Sequence, residues 1–227
     1  MKIAEIFYSL QGEGSLVGVP SAFVRTSGCN LRCTWCDTPY TSWHPAGADL
    51  SIQEIAEKVA GFGASHVVVT GGEPMIAPEI VDLTRMFHAA KFHITIETAG
   101  TVFMPVHCDL MSISPKLSNS TPRERDRGRW AAQHDRSRYR PDVLKQLMSD
   151  YDYQLKFVVS SPADLNEIAA LRKELSAPPS RIVLMSEGTD AELLRQRGMW
   201  LAELCKTEGY RFSPRLHIHL WGDKRAV

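Results

Sequence analysis

The sequence predicts an α/β fold whose parallel sheet curves into a partial, incomplete barrel. Six short apolar runs rich in β-branched residues alternate with amphipathic segments along the 227 residues. Strands that alternate with helices form right-handed βα units around a parallel sheet. About six such units are too few to close an eight-stranded barrel, so we expect the sheet to stay open. A doubly wound sheet is the alternative, but no G-x-G-x-x-G follows the first predicted strand.

The predicted strands are short and apolar, as is typical of strands buried in a parallel sheet. They cover residues 22–25, 66–70, 92–97, 109–112, 154–159 and 181–185. Helix start signals lie between them. Ser51-x-x-Glu54 predicts a helix from about Ile52, Ser161-Pro162 with Asp164 predicts another, and Thr189-x-x-Glu192 opens a long helix that reaches about Glu208.

Composition excludes several function classes. The 26 basic and 26 acidic residues balance, so there is no global charge for nucleic acid or anionic lipid. No apolar stretch approaches the length of a membrane span, and Lys2 and Glu5 interrupt any apolar signal peptide. Five cysteines with no export signal indicate reduced thiols and a cytoplasmic location. We expect one domain over residues 1–227, with an arginine-rich insertion at about 118–145.

Three cysteines, Cys29, Cys33 and Cys36, form a C-x3-C-x2-C triplet. Three thiolates this close in sequence can converge on one metal centre. A structural zinc ion needs four protein ligands, so zinc would need a histidine as well. A four-iron cluster held by three cysteines would leave one iron open to an outside ligand. The spacing alone leaves both possibilities open. Cys108 and Cys205 stand alone and are expected to be small buried hydrophobes.

Polar and glycine-rich segments follow the predicted strands. They are the cysteine loop, Thr70-Gly71-Gly72-Glu73-Pro74, Glu97-Thr98-Ala99-Gly100-Thr101 and Ser114-Pro115-Lys116. In barrels and open α/β sheets, ligands bind at the carboxyl ends of the strands. Each segment alone is weak evidence, but four at one edge predict a ligand site there.

With the cysteine spacing, Trp35 before the third cysteine and the later Gly-Gly-Glu-Pro, the chain resembles the radical S-adenosylmethionine superfamily. The resemblance implies a 4Fe–4S cluster on Cys29, Cys33 and Cys36, with S-adenosylmethionine chelating the open iron. One-electron reduction would then release a 5′-deoxyadenosyl radical. Holding the cofactor close to the cluster and to its target is the work left to the protein.

A narrower resemblance covers most of the first 116 residues. Tyr8-Ser9-Leu10-Gln11-Gly12-Glu13-Gly14, Phe23-Val24-Arg25, Cys36-Asp37-Thr38 and Ile96-Glu97-Thr98-Ala99-Gly100-Thr101 resemble the 7-carboxy-7-deazaguanine synthase family. The resemblance implies a homodimeric carbon–nitrogen lyase. It would contract 6-carboxy-5,6,7,8-tetrahydropterin to 7-carboxy-7-deazaguanine with loss of ammonia, toward queuosine. Beyond residue 150 the match is thinner, and the C-terminal tail fits poorly.

The same resemblance implies roles for individual residues. The S-adenosylmethionine site would be lined by Trp35, Asp37, Gly72, Glu73, Ser114, Pro115 and Lys116. The pterin would be contacted by Leu10, Gln11, Gly12, Thr70 and Arg25. Arg25 would hold the carboxylate through its planar fork; a surface ion pair is the alternative. Glu13 could accept from the pterin, a hypothesis that rests on adjacency alone.

Thr38 is implied to ligate Mg²⁺ together with the substrate. One hydroxyl is a poor magnesium site, because the ion prefers six hard oxygens, so we expect binding only when substrate oxygens complete the shell. From spacing alone, Thr38 could equally cap the turn before Pro39.

In the family the last residue reaches the substrate, which would make Val227 a substrate ligand. The long basic tail from residue 217 makes Val227 a weak candidate for that role. His217 and His219 alternate along a predicted strand and are therefore expected to share a face.

Two rival functions share parts of these motifs. A glycyl-radical activating enzyme would have the cluster but act on a protein, whereas Leu10–Gly14 and Arg25 favour a small acid. A zinc-binding module is the non-enzymatic alternative.

Residues 121–140 are the one strongly basic stretch. They carry three acidic residues and seven arginines: Arg123, Arg125, Arg127, Arg129, Arg136, Arg138 and Arg140. The common fate of such a stretch is a solvated insertion. The alternative is that it steers an acidic electron donor, of the flavodoxin or ferredoxin type, toward the cluster.

Overall fold

The computed structural model describes residues 1–227 and contains one nine-stranded sheet. Its strands are β1 (Lys2–Leu10), β2 (Pro20–Thr26), β3 (Ala48–Asp49), β4 (His66–Gly71), β5 (His93–Thr98), β6 (Leu110–Ile113), β7 (Tyr153–Val159), β8 (Ile182–Ser186) and β9 (Arg211–Ser213). The spatial order is β3-β1-β2-β4-β5-β6-β7-β8-β9. β1 is antiparallel to both of its neighbours, and the strands from β2 to β9 are parallel. The two end strands do not pair, so the sheet is an open, incomplete barrel as predicted.

Eight α-helices accompany the sheet: α1 (Pro39–Ser42), α2 (Ile52–Ala60), α3 (Ile80–Ala89), α4 (Ala131–Ser137), α5 (Pro141–Asp150), α6 (Asp164–Leu175), α7 (Ala191–Glu208) and α8 (Leu216–Trp221). All six predicted strands are confirmed. The capping box before α2 is also confirmed, with Ser51 and Glu54 each accepting from the other's backbone N–H. The start of α7 is shifted by one residue, because Asp190 rather than Thr189 caps it.

Side-chain alternation along the parallel strands separates the core from the interior of the barrel. On β2, Val24 lies in the apolar core and Arg25 faces a central cavity. On β7, Leu155 and Phe157 lie in the core, whereas Lys156 faces the cavity. The outer faces of these strands are therefore apolar, and their inner faces carry polar side chains. The polar inner face positions the site.

The apolar core lies between the outer face of the sheet and the surrounding helices. It is a single cluster of 31 buried residues. Phe87 on α3, Leu147 on α5 and Leu201 on α7 are fully buried in it. Burying side chains of this size stabilises the fold by about 1.5–3 kcal/mol each. None of the three triplet cysteines belongs to this cluster.

The C-terminal region differs from its prediction. His217 and His219 lie on helix α8, not on a strand, so they do not share a face: His217 lines the cavity and His219 is exposed. After Gly222 the chain returns across the cavity mouth, where the Arg225 guanidinium lies 3.6 Å from the Tyr40 ring centroid. None of the helices is long and apolar enough to span a membrane.

Candidate active site

A cavity of about 250 Å³ lies inside the sheet at the carboxyl ends of the parallel strands. Most of the predicted site residues line it: Leu10, Gln11, Gly12, Arg25, Trp35, Asp37, Thr38, Thr70, Gly72, Ser114, Lys116 and Val227. The cysteine loop adjoins the cavity through Trp35 and Asp37. Glu73 and Pro115 are buried outside the cavity wall.

The three cysteines lie on the loop between β2 and α1. The Leu31 amide donates to Cys29 Sγ at 3.3 Å, and the Ser42 hydroxyl lies 3.2 Å from Cys36 Sγ. Leu31, Ala99 and Trp35 pack around the sulfurs. Burial raises the pKa of the Cys29 and Cys33 thiols to about 12. Because these thiols stay protonated on their own, a cationic metal centre is needed to hold them as thiolates.

The surroundings of the cysteine sulfurs suit metal-bound thiolates. No group of three or more His, Cys, Asp or Glu side chains, the cysteine triplet included, is arranged to hold a single metal ion. Hydrogen bonds to two of the sulfurs and apolar packing around them are features of iron–sulfur sites.

Gly72 and Glu73 hold the cysteine loop against β4. The Glu73 amide donates to the Gly28 carbonyl at 2.9 Å. A Cβ at Gly72 would lie 2.1 Å from that carbonyl oxygen, so only glycine fits there. The buried Glu73 carboxylate accepts from Thr98 Oγ1 at 2.7 Å and from the Ala99 amide at 2.8 Å. Its hydrogen bonds thus join two loops of the site, and it does not face the cavity.

Trp35 and Lys116 form one wall of the cavity. The Trp35 indole N–H donates to the Asn119 carbonyl at 3.1 Å. The Lys116 ammonium donates to Ser114 Oγ at 2.8 Å and lies 5.7 Å from the Trp35 ring centroid. These contacts orient an aromatic face and a cation toward the same space.

A charged network that the sequence analysis missed crosses the cavity floor. Arg215 donates through Nε to Glu13 at 3.1 Å and through Nη1 to the Gly188 carbonyl at 2.6 Å, and it pairs with Asp37. Lys156 pairs with the other Glu13 oxygen. Burial alone would raise the pKa of Glu13, but Lys156 and Arg215 outweigh it and hold that pKa well below its ordinary value. Glu13 therefore stays charged.

The sequence carried a signal for one member of this network and none for another. Lys156 interrupts the apolar run of β7, and a lysine inside a buried strand indicates a partnered or functional charge. Arg215 gave no such signal, because it follows β9, a three-residue strand that the sequence pattern did not predict.

Arg25 and Gln11 lie on the opposite wall. Arg25 Nε donates to Glu5 Oε1 at 2.6 Å, and the Tyr40 hydroxyl donates to the same oxygen at 2.8 Å. The Arg25 side chain is 19% exposed, so its ion pair with Glu5 is half-buried and is not the surface pair that was the alternative to carboxylate binding. Gln11 donates to Glu97 at 3.2 Å, so the Glu97 carboxylate lies in this wall beside that of Glu5.

His217 packs against the loop that follows β1. A Cβ at Gly12 would lie 2.1 Å from His217 Nδ1, so the close approach requires glycine at this position. At the cavity mouth, the Ser9 hydroxyl donates to the main-chain oxygen of Val227. The long basic tail therefore does not keep Val227 away from the cavity, contrary to the argument from the sequence.

Thr38 precedes α1, but its side chain makes no capping hydrogen bond. Its Oγ1 accepts from Thr41 Oγ1 at 3.4 Å and lies 3.9 Å from Cys36 Sγ. The capping alternative is thus not observed, and the hydroxyl remains at the cavity wall beside the cysteine loop.

Comparison with known proteins places this geometry in a family. Residues 23–115 match the family model described as Radical SAM superfamily. The chain is 47% identical to the 7-carboxy-7-deazaguanine synthase of Halobacterium salinarum, over 98% of this chain and 91% of that protein. It is 44% identical to the synthase of Rhodopirellula baltica, over 99% and 88% of the two chains. The chain belongs to the 7-carboxy-7-deazaguanine synthase family.

A solved structure agrees with this membership. The crystal structure of QueE from Escherichia coli superimposes with a TM-score of 0.71 at 26% identity, covering 95% of this chain and 94% of that one. As a member of the 7-carboxy-7-deazaguanine synthase family, the chain is a radical S-adenosylmethionine enzyme, which implies a 4Fe–4S cluster and S-adenosylmethionine as cofactors.

Proposed function

We propose that the protein converts 6-carboxy-5,6,7,8-tetrahydropterin to 7-carboxy-7-deazaguanine with loss of ammonia, in the route to queuosine. The observation that supports this best is a single cavity joining the Cys29–Cys36 loop to Arg25. That cavity combines a metal-binding loop, an aromatic wall and several charges, as a small polar acid requires. A protein substrate, as for a glycyl-radical activating enzyme, would need an open groove instead.

The cofactors would occupy the side of the cavity nearest the cysteine loop. When bound, the cluster and S-adenosylmethionine supply the 5′-deoxyadenosyl radical that starts the ring contraction. Cys29, Cys33 and Cys36 would hold the cluster, and S-adenosylmethionine would be lined by Trp35, Asp37, Gly72, Ser114 and Lys116, with Glu73 and Pro115 behind them. Gly72 leaves room for backbone beside the cysteine loop, and Trp35 screens that space from water.

Arg25 would bind the substrate carboxylate. Its Nε is already committed to Glu5, which leaves the Nη edge for a charge-assisted contact. Leu10, Gln11, Gly12, Thr70 and Val227 would complete the substrate wall. Glu13, fixed as a carboxylate by Lys156 and Arg215, has the charge needed to accept hydrogen bonds from the ring N–H groups.

Thr38 would bind Mg²⁺ with the substrate. Its hydroxyl, which does not cap α1, would contribute one hard oxygen, and the substrate's oxygens and water would supply the others.

Anaerobic turnover is the direct test. Reconstituted protein supplied with S-adenosylmethionine, Mg²⁺, a reductant and the carboxytetrahydropterin should yield a product of the deazaguanine mass. Cleavage of S-adenosylmethionine that does not depend on the pterin, with no such product, would contradict the assignment. Colourless protein holding stoichiometric zinc would contradict the enzyme reading altogether.

The proposal also covers the oligomeric state and the electron donor: the protein is a homodimer, and a flavodoxin or ferredoxin reduces it. Arg123, Arg127, Arg129 and Arg136 are exposed on the 118–145 segment and offer an acidic donor a basic surface. Arg125 is excluded from that surface, because its guanidinium lies 4.1 Å from the Trp43 ring centroid.

Replacing these four exposed arginines with serine should slow flavodoxin-driven turnover and flatten its salt dependence, because steering acts through long-range charge. Turnover with dithionite should hardly change. The matched control replaces four exposed lysines outside the segment, Lys58, Lys91, Lys173 and Lys206, with serine. Equal loss with both reductants, or equal loss in the control, would remove the steering role.

A further inference from the structure

The 118–145 segment exposes arginines on its outer side, but its inner side contacts the cysteine loop. The Thr34 amide donates to the Ser120 carbonyl at 2.8 Å. The Thr34 carbonyl accepts from Arg125 Nη1 at 2.9 Å. Neither contact belongs to the cavity described above, and the proposed reaction assigns no role to them.

His134 is the buried centre of these contacts, with 1% of its surface exposed. Its Nδ1 accepts from the Arg32 backbone N–H at 3.1 Å, and its Nε2 lies 2.9 Å from Ser120 Oγ. The Ser120 hydroxyl donates onward to the Leu117 carbonyl at 2.6 Å. A backbone N–H can only donate, so Nδ1 must be the unprotonated nitrogen of the ring. The proton is therefore on Nε2, which donates a hydrogen bond to the Ser120 hydroxyl oxygen. Every polar atom in this chain of contacts therefore has one defined direction.

These contacts flank Cys33 on both sides. Arg32 precedes Cys33 and Thr34 follows it, and both of their amides donate to the 118–145 segment. The Arg32 side chain adds hydrogen bonds to the Cys29 and Leu31 carbonyls, each at 2.7 Å. Its guanidinium lies 5.1 Å from the ring centroid of Trp130, another residue of the segment.

The loop has little internal structure of its own. Between Cys29 and Cys36 the only backbone–backbone hydrogen bond within the loop joins the Cys36 amide to the Cys33 carbonyl, at 3.3 Å. Its conformation therefore depends on partners outside it. Fixing those residues before the metal arrives removes an ordering cost from cluster binding.

We propose that His134 is a positioning residue that holds the cluster-binding loop in place through the Arg32 amide. The 118–145 segment then has two roles: its inner side fixes the backbone on either side of Cys33, and its outer side forms the basic surface. The inference rests on the proposed cluster, but it concerns the order of the loop and not the reaction.

Two variants separate positioning from packing. His134→Asn keeps an acceptor oxygen near the position of Nδ1, whereas His134→Gln fills more of the space but moves its polar group toward Nε2. If His134 positions Arg32, the Asn variant should lose its cluster to a chelator at nearly the wild-type rate. The Gln variant should lose it roughly tenfold faster, the factor that corresponds to about one buried hydrogen bond. The rate is read from the bleaching of the absorbance near 400 nm under anaerobic conditions.

A packing role would rank the variants the other way, because Asn leaves the larger void. Gln slower than Asn, or both equal to wild type, would overturn the proposal. If neither variant folds, the proposal is tested by amide hydrogen exchange in wild-type protein from which a chelator has removed the metal. The Arg32 and Thr34 amides should be protected in the absence of metal, and exchange at the unstructured rate would overturn the proposal. This readout is independent of turnover, so its failure is distinguishable from failure of the proposed reaction.

Discussion

The role of Arg25 depends on which of its donors remain available. The Nε of Arg25 donates to Glu5, so a bound carboxylate must accept from the Nη groups. Arg25→Lys replaces the planar guanidinium, with its fixed N–H directions, by a single ammonium group. We expect the substrate KM to rise roughly ten- to a hundredfold, as loss of a charge-assisted hydrogen bond of about 1.5–3 kcal/mol predicts. Steady-state kinetics measure it, with the exposed Arg85→Lys as control. An unchanged KM would mean that Arg25 does not bind the substrate.

Thr38 offers a cleaner test, because valine matches its shape and lacks only the oxygen. Thr38→Val should weaken the dependence of turnover on Mg²⁺ and leave S-adenosylmethionine cleavage largely intact. Activity titrated against magnesium, with deoxyadenosine measured in parallel, separates the two effects. A wild-type magnesium response would exclude Thr38 from the metal site. Thr41→Val is the control, since Thr41 contacts Thr38 but does not line the cavity.

Ser42 is a buried hydroxyl beside a cluster ligand, 3.2 Å from Cys36 Sγ. A hydrogen bond to a ligating sulfur stabilises the reduced, more negative cluster and so raises its potential. Ser42→Ala should lower the midpoint potential by roughly 40 mV, the one-electron equivalent of about 1 kcal/mol. Ser42→Thr should restore it. A redox titration followed by electron paramagnetic resonance measures the shift, and an unchanged potential in the alanine variant would contradict this role.

At the scale of elements, the sequence predicted the parallel strands well and the ends of the chain poorly. The six apolar strands stand out because β-branched runs are short and bounded by glycine-rich turns. The sequence pattern did not predict β1, because a register shift between Ile3 and Glu5 breaks the alternation of apolar and polar residues along it. α8 was taken for a strand because Leu216, Ile218 and Leu220 alternate with histidines. Only Ile218 of these is buried, and six residues are too few for periodicity to separate helix from strand.

The site shows the same division. Motif residues on loops after predicted strands converge on one cavity, because parallel strands end at one edge. Arg215 could not be predicted, since its position depends on β9 and on partners far away in sequence, Glu13 and Asp37. Such pairings are set by tertiary packing, which local pattern does not encode.

Glu13 links the loop after β1 to β7 and to the segment after β9, so its charge bears on stability. Because its pKa is lowered on folding, the stabilisation is complete above the ordinary carboxyl value of 4.5 and is lost as pH falls below it. Glu13→Gln leaves two buried cations without their shared anion and should cost about 3–5 kcal/mol at neutral pH. Denaturant unfolding between pH 7 and pH 3 should show a flatter pH dependence in the variant. Parallel curves would mean that Glu13 does not carry this linkage.

At the scale of the whole molecule, the fold and the cluster shell are separate. The 31-residue core excludes the triplet cysteines, which pack only with Leu31, Ala99 and Trp35. Cys205, by contrast, lies in the core with 3% of its surface exposed. Removing a metal ligand and removing a core thiol should therefore have opposite consequences.

Cys29→Ala, Cys33→Ala and Cys36→Ala should each abolish the cluster and activity, since two thiolates cannot hold four irons, yet leave the thermal midpoint of the metal-free chain nearly unchanged. The Cys205→Ser variant should bind as much iron as wild type. Its free energy of unfolding should fall by about 1–3 kcal/mol, because the substitution buries a hydroxyl in an apolar setting. Iron content and circular dichroism melts of metal-free protein measure the two properties. Full activity in any triplet variant would defeat the cluster assignment. Melting of the triplet variants far below wild type would instead show that the cysteine loop and the core fold as one unit.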